Sequence, residues 1–355
     1  MCIRDRFNYT GEIKGSCRLP WQFILVGTDQ NLMLCSCDYY LPIPVGKVLD
    51  FNSIEDVFNS PIARILQQDI TDKKFTHCAV THCGVASGIH RSYPQVTLTI
   101  NLDESCNLAC PSCRRTPVMV VPGGPIDYDG KLNSLNRIVE WLEKYQEPIH
   151  IITSGNGDCL ASHIMRPLIK TYKPRDTQTF TLFTNGLLMK KVLPGAPIFE
   201  RINQFKISVD AGSAEIYEVV RQPGKWDILM ENFDWLDLNR GMAGPGWKGK
   251  YAEIRLIFTV QQKNYQDLPK FIKLCQDRDY VPEITQLDDW ATWSSPAIPR
   301  SSWGVDLFTI KHGTFLENDV LNPQHPEHQE CINILKEINK IPHNIVFTSK
   351  IKALL

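Results

Sequence analysis

A strand and a cysteine-rich loop follow one another in Val96-Thr-Leu-Thr-Ile-Asn-Leu102 and Cys106-Asn-Leu-Ala-Cys110-Pro-Ser-Cys113. The first part alternates apolar and polar residues, which predicts a β-strand. The second part places three cysteines on a short loop with Pro111 and small neighbours, which favours one compact metal centre. A closed zinc site needs a fourth ligand, and a fully ligated four-iron cluster needs four cysteines. Three thiolates therefore predict a metal centre with one open position.

Strand and helix patterns alternate from residue 94 onward. Strands are predicted over 96–102, 149–153, 179–184, 205–209, 253–260 and 284–287, and helices over 132–145, 162–172, 214–221, 227–238 and 268–277. About six βα units imply an α/β fold with a parallel sheet, either doubly wound or curved into a full or partial barrel. In such barrels the working face lies at the carboxyl ends of the strands, where the cysteine loop follows its strand.

Composition and charge favour a globular protein and argue against several other classes. The 355 residues carry a net charge of −1, with 43% hydrophobic and 22% charged residues, as in a globular protein. The near-zero charge argues against a protein that binds duplex DNA. The sequence contains no apolar run long enough for a membrane span, and its first ten residues lack the apolar core of a signal peptide. Without an export signal, twelve cysteines favour metal or redox chemistry over disulfides.

The CxxxCxxC spacing of Cys106, Cys110 and Cys113 after the first strand resembles the cluster motif of the radical S-adenosylmethionine (radical SAM) superfamily. The resemblance implies a partial (β/α)6 TIM-like barrel and a [4Fe–4S] cluster whose fourth iron binds SAM. It also implies an enzyme that reductively cleaves SAM to a 5′-deoxyadenosyl radical, which abstracts a hydrogen atom from the substrate. A structural zinc or disulfide cluster is the alternative.

The resemblance also assigns SAM-binding residues at the ends of later strands. It departs from the usual family pattern at Asn156, where a second glycine is common, and at Asp158, where Glu is usual. For Asp210 the alternative is a helix N-cap. The implied cofactor-binding residues are Gly155, Asn156, Gly157, Asp158, Ser208, Asp210, Arg221 and Asn264.

Several other residues have two interpretations each. Asn185 in the Thr-Asn-Gly turn is either a structural turn residue or an active-site contact. Arg114 and Arg115 either balance the charge of the cluster or are solvated. Trp290, Trp293 and Trp303 are expected to be packing residues. The spacing of His325, His328 and Cys331 permits a metal site, but exposed polar tail residues are the expected explanation.

The N-terminal cysteines resemble an auxiliary-cluster domain of the SPASM or twitch type, here placed before the barrel. The resemblance implies one auxiliary [4Fe–4S] cluster held by Cys17, Cys35 or Cys37, Cys78 and Cys83. A zinc site with the same ligands, to which His77 or His82 could contribute, is the alternative. The expected division is an auxiliary domain over 1–92, a radical SAM barrel over 93–310 and a C-terminal helical tail over 311–355.

The resemblance leaves the substrate open. Peptide or protein modification is expected, and oxidation of a small-molecule alcohol or sugar is the alternative. A non-enzymatic iron–sulfur electron carrier or binding protein is the alternative from another class. Oxygen-labile clusters and reduced thiolates imply a cytoplasmic protein that depends on a flavodoxin- or ferredoxin-like electron donor.

Overall fold

The computed structural model describes residues 11–35, 43–78, 80, 84–114, 116–153, 157–244, 251–287 and 315–355. Its strands in these ranges form one sheet of ten strands and one of two. In chain order they are β1 (Ser16–Cys17), β2 (Phe23–Val26), β3 (Asn31–Met33), β4 (Gly46–Lys47), β5 (His90–Arg91), β6 (Val96–Ile100), β7 (Ile149–Thr153), β8 (Gln178–Thr184), β9 (Ile202–Ser208), β10 (Glu253–Val260), β11 (Val281–Gln286) and β12 (Val346–Phe347).

The large sheet has the strand order of a barrel. Its strands β6 to β11 lie side by side in chain order, and every neighbouring pair is parallel. A doubly wound sheet needs a point at which the order reverses, and none occurs among these six strands. Because crossovers between parallel strands are right-handed, this order places the connecting helices on one face of the sheet. The predicted α/β class with six parallel strands in barrel order is confirmed.

The two faces of the sheet have different environments. Phe180 of β8 and Phe205 of β9 are fully buried in the main apolar core. The residues that alternate with them are polar and bond across the strands. Thr181 Oγ1 donates to Gln204 Oε1 at 3.3 Å, and Gln204 Nε2 donates to Glu253 Oε1 at 2.6 Å. One face is therefore a packed apolar core, and the other carries a largely buried layer of hydrogen-bonded polar side chains.

The longest helix, Tyr128–Lys144, follows the cysteine loop and packs along the sheet. It begins at Asp127, whose Oδ1 accepts a hydrogen bond from Gly130 N at 2.9 Å. Ile138 and Trp141 are fully buried on its inner face. The other α-helices are Leu19–Gln22, Ile54–Asn59, Pro61–Thr71, Met189–Val192, Ala214–Val220, Trp226–Asn239, Leu268–Asp277, Phe315–Asn318, His328–Asn339 and Ser349–Lys352. Among the described helices, none combines the length and the apolar character that a membrane crossing needs.

The described part of the N-terminal region continues the barrel sheet. Strand β2 pairs in parallel with β6, and β3 and β4 follow as antiparallel strands. Ile24 of β2 and Leu98 of β6 belong to the same core. The helical spacing of apolar residues from Ser53 to Asp69 predicts one helix, but the structure has two, Ile54–Asn59 and Pro61–Thr71. Ser60 caps the second helix, and Pro61 has no N–H to continue the first. The domain division at residue 92 stays a prediction.

Two later segments differ from the expected helices. Over 162–172 the helical part is only Pro167–Thr171, since Ser162 instead hydrogen-bonds the Asp103 carboxylate after β6. The C-terminal tail contains the helix His328–Asn339 and also β12, which pairs in parallel with β11. A two-residue strand has no periodicity of its own, so only tertiary pairing reveals it.

His325, His328 and Cys331 are not the exposed tail residues that the sequence predicted. Cys331 is fully buried on the apolar face of its helix, and His325 is 8% exposed. The ring atoms His325 Nε2 and His328 Nδ1 lie 3.1 and 3.2 Å from the carbonyl oxygens of Glu317 and Val320. The two histidines therefore bond to the backbone and fix the turn before the helix.

Candidate active site at the three-cysteine loop

The three-cysteine loop, residues 106–113, lies at the carboxyl edge of the sheet and is tied down by its backbone. Cys106 N donates to Val118 O at 2.7 Å, and Val118 N donates to Cys106 O at 3.2 Å. Farther along, Ala109 N donates to Gln222 O at 2.6 Å, beyond the helix that follows β9. The loop is thus attached both to the segment after it and to a distant part of the barrel.

The three cysteines of this loop differ in burial: Cys110 is buried, and Cys106 and Cys113 are half-buried. Cys113 N donates to Cys110 O at 2.8 Å, which closes a tight turn between these two cysteines. Burial, reinforced by the charge of Asp158, raises the pKa of Cys106 to about 12. Burial also raises the pKa of Cys110, although the neighbouring Arg221 opposes it. Thiols of this kind keep their protons until a metal displaces them.

Within the described ranges, no group of three or more His, Cys, Asp or Glu side chains is arranged to hold a metal ion. A single zinc ion requires such an arrangement, since each thiolate sulfur lies about 2.3 Å from one point. In an iron–sulfur cluster the cysteines bind different irons, so their sulfurs need not meet at one point. Three thiolates on one loop are a donor set that an iron–sulfur cluster uses, and the zinc alternative stays open.

Arg114 directly follows the loop and is only 2% exposed. This burial excludes the interpretation that Arg114 is a solvated surface residue. Its Nη1 donates to Glu104 O at 2.8 Å. Burial lowers the pKa of Arg114, but the three thiols of the loop raise it, and the net shift is upward. The guanidinium is thus a buried cation beside all three candidate ligands. Arg115 lies outside the described residues.

Gly157 lies where the turn after β7 meets the backbone before Cys106. A β-carbon on Gly157 would overlap the carbonyl oxygen of Ser105. The next residue fixes this approach, because Asp158 N donates to Ser105 O at 2.7 Å. Only glycine allows so close a contact. The predicted SAM-binding residues Gly155 and Asn156 lie outside the described residues.

The Asp158 carboxylate joins two strand ends. Its Oδ1 accepts from Leu160 N at 2.9 Å, and its Oδ2 accepts from Asn185 N at 2.6 Å and from Thr184 Oγ1 at 2.9 Å. Burial nevertheless raises its pKa. Asn185 Nδ2 in turn donates to Asn107 Oδ1 of the three-cysteine loop at 2.8 Å. The Thr-Asn-Gly turn therefore contacts the loop, in addition to serving as a turn.

Asp210 and Arg221 meet beside Cys110. Arg221 Nη2 lies 2.7 Å from Asp210 Oδ2, and Arg221 Nη1 lies 3.7 Å from Cys110 Sγ. Asp210 has a φ of 57° and accepts a hydrogen bond from Thr259 N at 2.7 Å. A left-handed backbone at a non-glycine residue is found where the surroundings enforce it, often at functional sites. The helix N-cap is Ser213, so Asp210 forms an ion pair instead of the alternative capping contact.

Asn264 holds these strand ends together. Its Nδ2 donates to Asp210 O and to Thr259 O, both at 2.9 Å, and its Oδ1 accepts from Gln261 N at 2.9 Å. The Asn264 side-chain amide therefore links the backbone of Asp210 to that of Thr259. Ser208 is half-buried at the end of β9, on the strand that leads to Asp210.

The described N-terminal cysteines pack against the apolar cores. Cys35 is buried in the main core, and Cys17 and Cys78 pack against both the main core and a small second core. Cys37 and Cys83 lie outside the described residues. The second core consists of four buried residues, Ile70, Phe75, Val80 and Val85. The auxiliary site therefore stays a prediction.

Some buried polar atoms near the site have no hydrogen-bond partner. In the described part of the chain they include Tyr217 Oη, Arg221 Nε and Gln261 Nε2. No role was predicted for Tyr217. Tyr217 precedes Arg221 by one helical turn, and this spacing was the available signal. Because buried donors are normally satisfied, these atoms indicate that a group binds beside them.

No protein-family model matches the sequence, and no curated protein matches it. Several solved structures are similar in fold. SuiB of Streptococcus suis bound to precursor peptide SuiA has a TM-score of 0.43 and 11% identity, over 81% of this chain and 62% of SuiB. A variant of spore photoproduct lyase has a TM-score of 0.39 and 9% identity, over 83% and 96% of the two chains. A radical SAM methyltransferase from Sphaerobacter thermophilus has a TM-score of 0.38 and 12% identity, over 74% and 69%.

The chain spans about three fifths of the length of the SuiB structures that it matches. SuiB has also been solved with S-adenosylmethionine.

Proposed function

We propose that the protein is a radical SAM enzyme in which Cys106, Cys110 and Cys113 hold a [4Fe–4S] cluster with one open iron for SAM. The observation that carries this proposal is a pair of guanidinium groups at the three-cysteine loop. Arg114 is 2% exposed and follows Cys113 directly, and Arg221, with its side chain 13% exposed, lies 3.7 Å from Cys110 Sγ. Buried cations are stabilised by anionic groups next to them. A cluster held by three thiolates supplies such negative charge at this position.

A [4Fe–4S] cluster held by Cys106, Cys110 and Cys113 would supply the one-electron reduction that cleaves SAM and so provides a radical for hydrogen abstraction from the substrate. The residues of this chain orient the reactants and keep water out. Arg221 offers a planar guanidinium, which suits the methionine carboxylate. Asp158 and Asn264 act as positioning residues, because their side chains are engaged by the protein itself. Direct contact with SAM is assigned to Gly155, Asn156, Gly157, Ser208, Asp210 and Arg221.

In the N-terminal region the proposal includes an auxiliary [4Fe–4S] cluster held by Cys17, Cys35 or Cys37, Cys78 and Cys83. The packing of Cys17 and Cys78 against one small core supports it. Zinc with the same ligands is the alternative. A flavodoxin- or ferredoxin-like protein is the proposed electron donor, and the reducing cytoplasm is the proposed location.

The substrate that we propose is a peptide or protein, since auxiliary clusters of the type resembled here occur in enzymes that modify peptides. Transfer of deuterium to 5′-deoxyadenosine identifies the substrate class. Transfer from a deuterated peptide supports the proposal, and transfer from a deuterated sugar or alcohol supports the small-molecule alternative.

The enzyme proposal is tested by anaerobic reconstitution with iron and sulfide, reduction with dithionite, and quantification of 5′-deoxyadenosine after SAM is added. The wild-type protein should form this product, and the triple variant Cys106→Ala, Cys110→Ala and Cys113→Ala should not. A loaded cluster without product would favour the electron carrier or binding protein.

Roughly four irons should remain on the triple variant if the auxiliary cluster exists. Zinc alone on that variant would exclude it.

A further inference from the structure

Lys131 is a fully buried cation near the start of the helix Tyr128–Lys144. Its Nζ donates to Thr28 O and, at 2.9 Å, to Leu102 O, and it lies 3.1 Å from Glu104 Oε2. Thr28 belongs to the turn after β2, whereas Leu102 and Glu104 lie between β6 and the three-cysteine loop. An ammonium group has three N–H donors. Those of Lys131 therefore join the helix to the N-terminal region and to the base of the loop.

The backbone of Glu104 and Ser105 lies where the turn after β7 meets the base of the loop. A β-carbon on Gly157 would lie only 2.7 Å from Glu104 O, and Asp158 N donates to Ser105 O at 2.7 Å. Glu104 O also accepts a hydrogen bond from Arg114 Nη1 at 2.8 Å, directly after the loop. A shift of Glu104 would therefore change how the loop sits against the turn after β7.

The Lys131–Glu104 ion pair is enclosed on both sides, with side chains 0% and 5% exposed. A buried ion pair adds little net stability, because the cost of removing two charges from water offsets their attraction. The pair does impose a geometry, since a buried carboxylate has to stay beside its ammonium partner. The contribution of Lys131 is therefore sought in what it holds in place.

We propose that Lys131 is a positioning residue for SAM binding, which acts through Glu104 to hold the base of the three-cysteine loop against the turn after β7. The inference rests on the proposed function, in which SAM contacts both the cluster on this loop and the turn from Gly155 to Gly157. A displacement between the two parts should weaken SAM binding, because one ligand has to reach both. Assembly of the cluster itself should depend on the three cysteines and not on Lys131.

The decisive experiment uses the full chain with Lys131→Met and Glu104→Gln combined, so that no buried charge loses its partner. After anaerobic reconstitution, we expect wild-type iron content. The dissociation constant for SAM is measured from the change that SAM causes in the electron paramagnetic resonance spectrum of the reduced cluster, and it should rise about tenfold. The KM for SAM in 5′-deoxyadenosine formation should rise as well, while kcat stays within about twofold of wild type.

Arg137→Met is the matched control on the same helix. Arg137 also binds the N-terminal region, since its Nη1 donates to Phe51 O at 2.9 Å and to Asn52 Oδ1 at 3.0 Å. Its ion pair is with Glu140 of its own helix, so within the described part of the chain these contacts do not include the base of the loop. Urea unfolding should show a loss of stability in this control, and its dissociation constant for SAM should equal that of wild type.

A second variant, Glu104→Gln alone, decides the question if the paired variant does not fold. It keeps the shape of the side chain and replaces a charged hydrogen bond with a neutral one, which is about half as strong. We expect its dissociation constant for SAM to rise about threefold.

The outcomes separate the inference from the function on which it rests. A wild-type protein that assembles no cluster on the three-cysteine loop would overturn both. Wild-type affinity for SAM in the paired variant, or in Glu104→Gln where that variant has to decide, would overturn the positioning role and leave the enzyme proposal intact. Equally weakened SAM binding in Arg137→Met would assign the effect to a general loss of stability, which also overturns the positioning role.

Discussion

The two cysteine-rich regions of this protein are organised differently. The three-cysteine loop is tied by backbone hydrogen bonds at Cys106 and Ala109 and has the buried cation Arg114 directly after it. In the N-terminal region, Cys35 is buried in the main core, and Cys17 and Cys78 pack against both the main core and a small second core. The first arrangement is held by the fold before any metal binds. The second draws its ligands from segments that are far apart in the chain, so its metal would contribute to folding.

The largest effect that distinguishes the two regions is expected from Cys110→Ala. Loss of one of three ligands should remove the SAM-binding cluster and reduce 5′-deoxyadenosine formation to background. Iron bound by the N-terminal region should be unchanged. Iron analysis and product quantification on the same preparation check this. Cys275→Ala is the control, since Cys275 is fully buried on the helix Leu268–Asp277, far along the chain from both regions. Equal loss of iron in both variants would contradict the assignment of Cys110.

The second-largest effect is a pH-dependent change in stability that arises in the sheet beneath the loop. His150 on β7 contacts Thr179 Oγ1 and Thr181 Oγ1, each at 2.9 Å, and burial lowers its pKa from 6.5 to about 4. Below pH 6.5 the unfolded chain takes up a proton that the folded chain refuses, so stability falls as the pH drops toward 4 and is retained above 6.5. The free energy of unfolding should decrease by about 2 kcal/mol between pH 7 and 5 from this group.

Urea unfolding of wild type and His150→Gln at several pH values measures this contribution. The difference between the two proteins should vary with pH between 6.5 and 4 and should be constant above pH 7. Because the histidine lies within the strands, this effect should persist when the cysteines are substituted. A pH dependence that disappears in Cys110→Ala would show that the sheet and the loop do not fold independently of the metal.

Gly157→Ala tests whether the close contact before Cys106 holds the loop in place. The added β-carbon overlaps the Ser105 carbonyl, so the turn after β7 has to move away from the loop. We expect a loss of about 1–3 kcal/mol in unfolding free energy and lower iron content in the barrel. Gly241→Ala is the control, because its β-carbon would lie 3.4 Å from the Tyr251 ring, at ordinary contact. Equal effects of both substitutions would exclude a specific role for Gly157.

The sequence predicted the parts of this fold that rest on local periodicity. Strand Glu253–Val260 and helix Leu268–Asp277 agree with their expected bounds, because alternation and helical spacing are local properties. The pairing of β2 with β6 and of β12 with β11 was not predicted, since it depends on contacts between distant segments. The same holds for Ser162, whose hydroxyl bonds Asp103 and interrupts the expected helix.

In the candidate site, too, the features that rest on local sequence patterns were predicted and those that depend on distant contacts were not. The spacing of the cysteines marked the loop, and the strand-end pattern marked Asp210 and Arg221, which the fold brings together as an ion pair. The burial of Arg114 and the unpartnered hydroxyl of Tyr217 could not be predicted. Both depend on which neighbours surround a side chain after folding, and single-residue patterns do not carry that information.

The smallest effect on SAM cleavage is expected from Cys78→Ala. This substitution removes a predicted ligand of the N-terminal metal site. Cys78 packs against the small core beside Cys17, and its loss should remove the auxiliary metal while the three-cysteine loop keeps its own. SAM cleavage without substrate should therefore stay within about twofold of wild type, since the barrel cluster alone supplies the electron. Iron content should fall by roughly four per chain if the site holds a cluster, and by none if it holds zinc. Loss of cleavage together with the N-terminal metal would show that the two regions fold as one unit, because strands β2 to β4 of the N-terminal region continue the sheet that carries the loop.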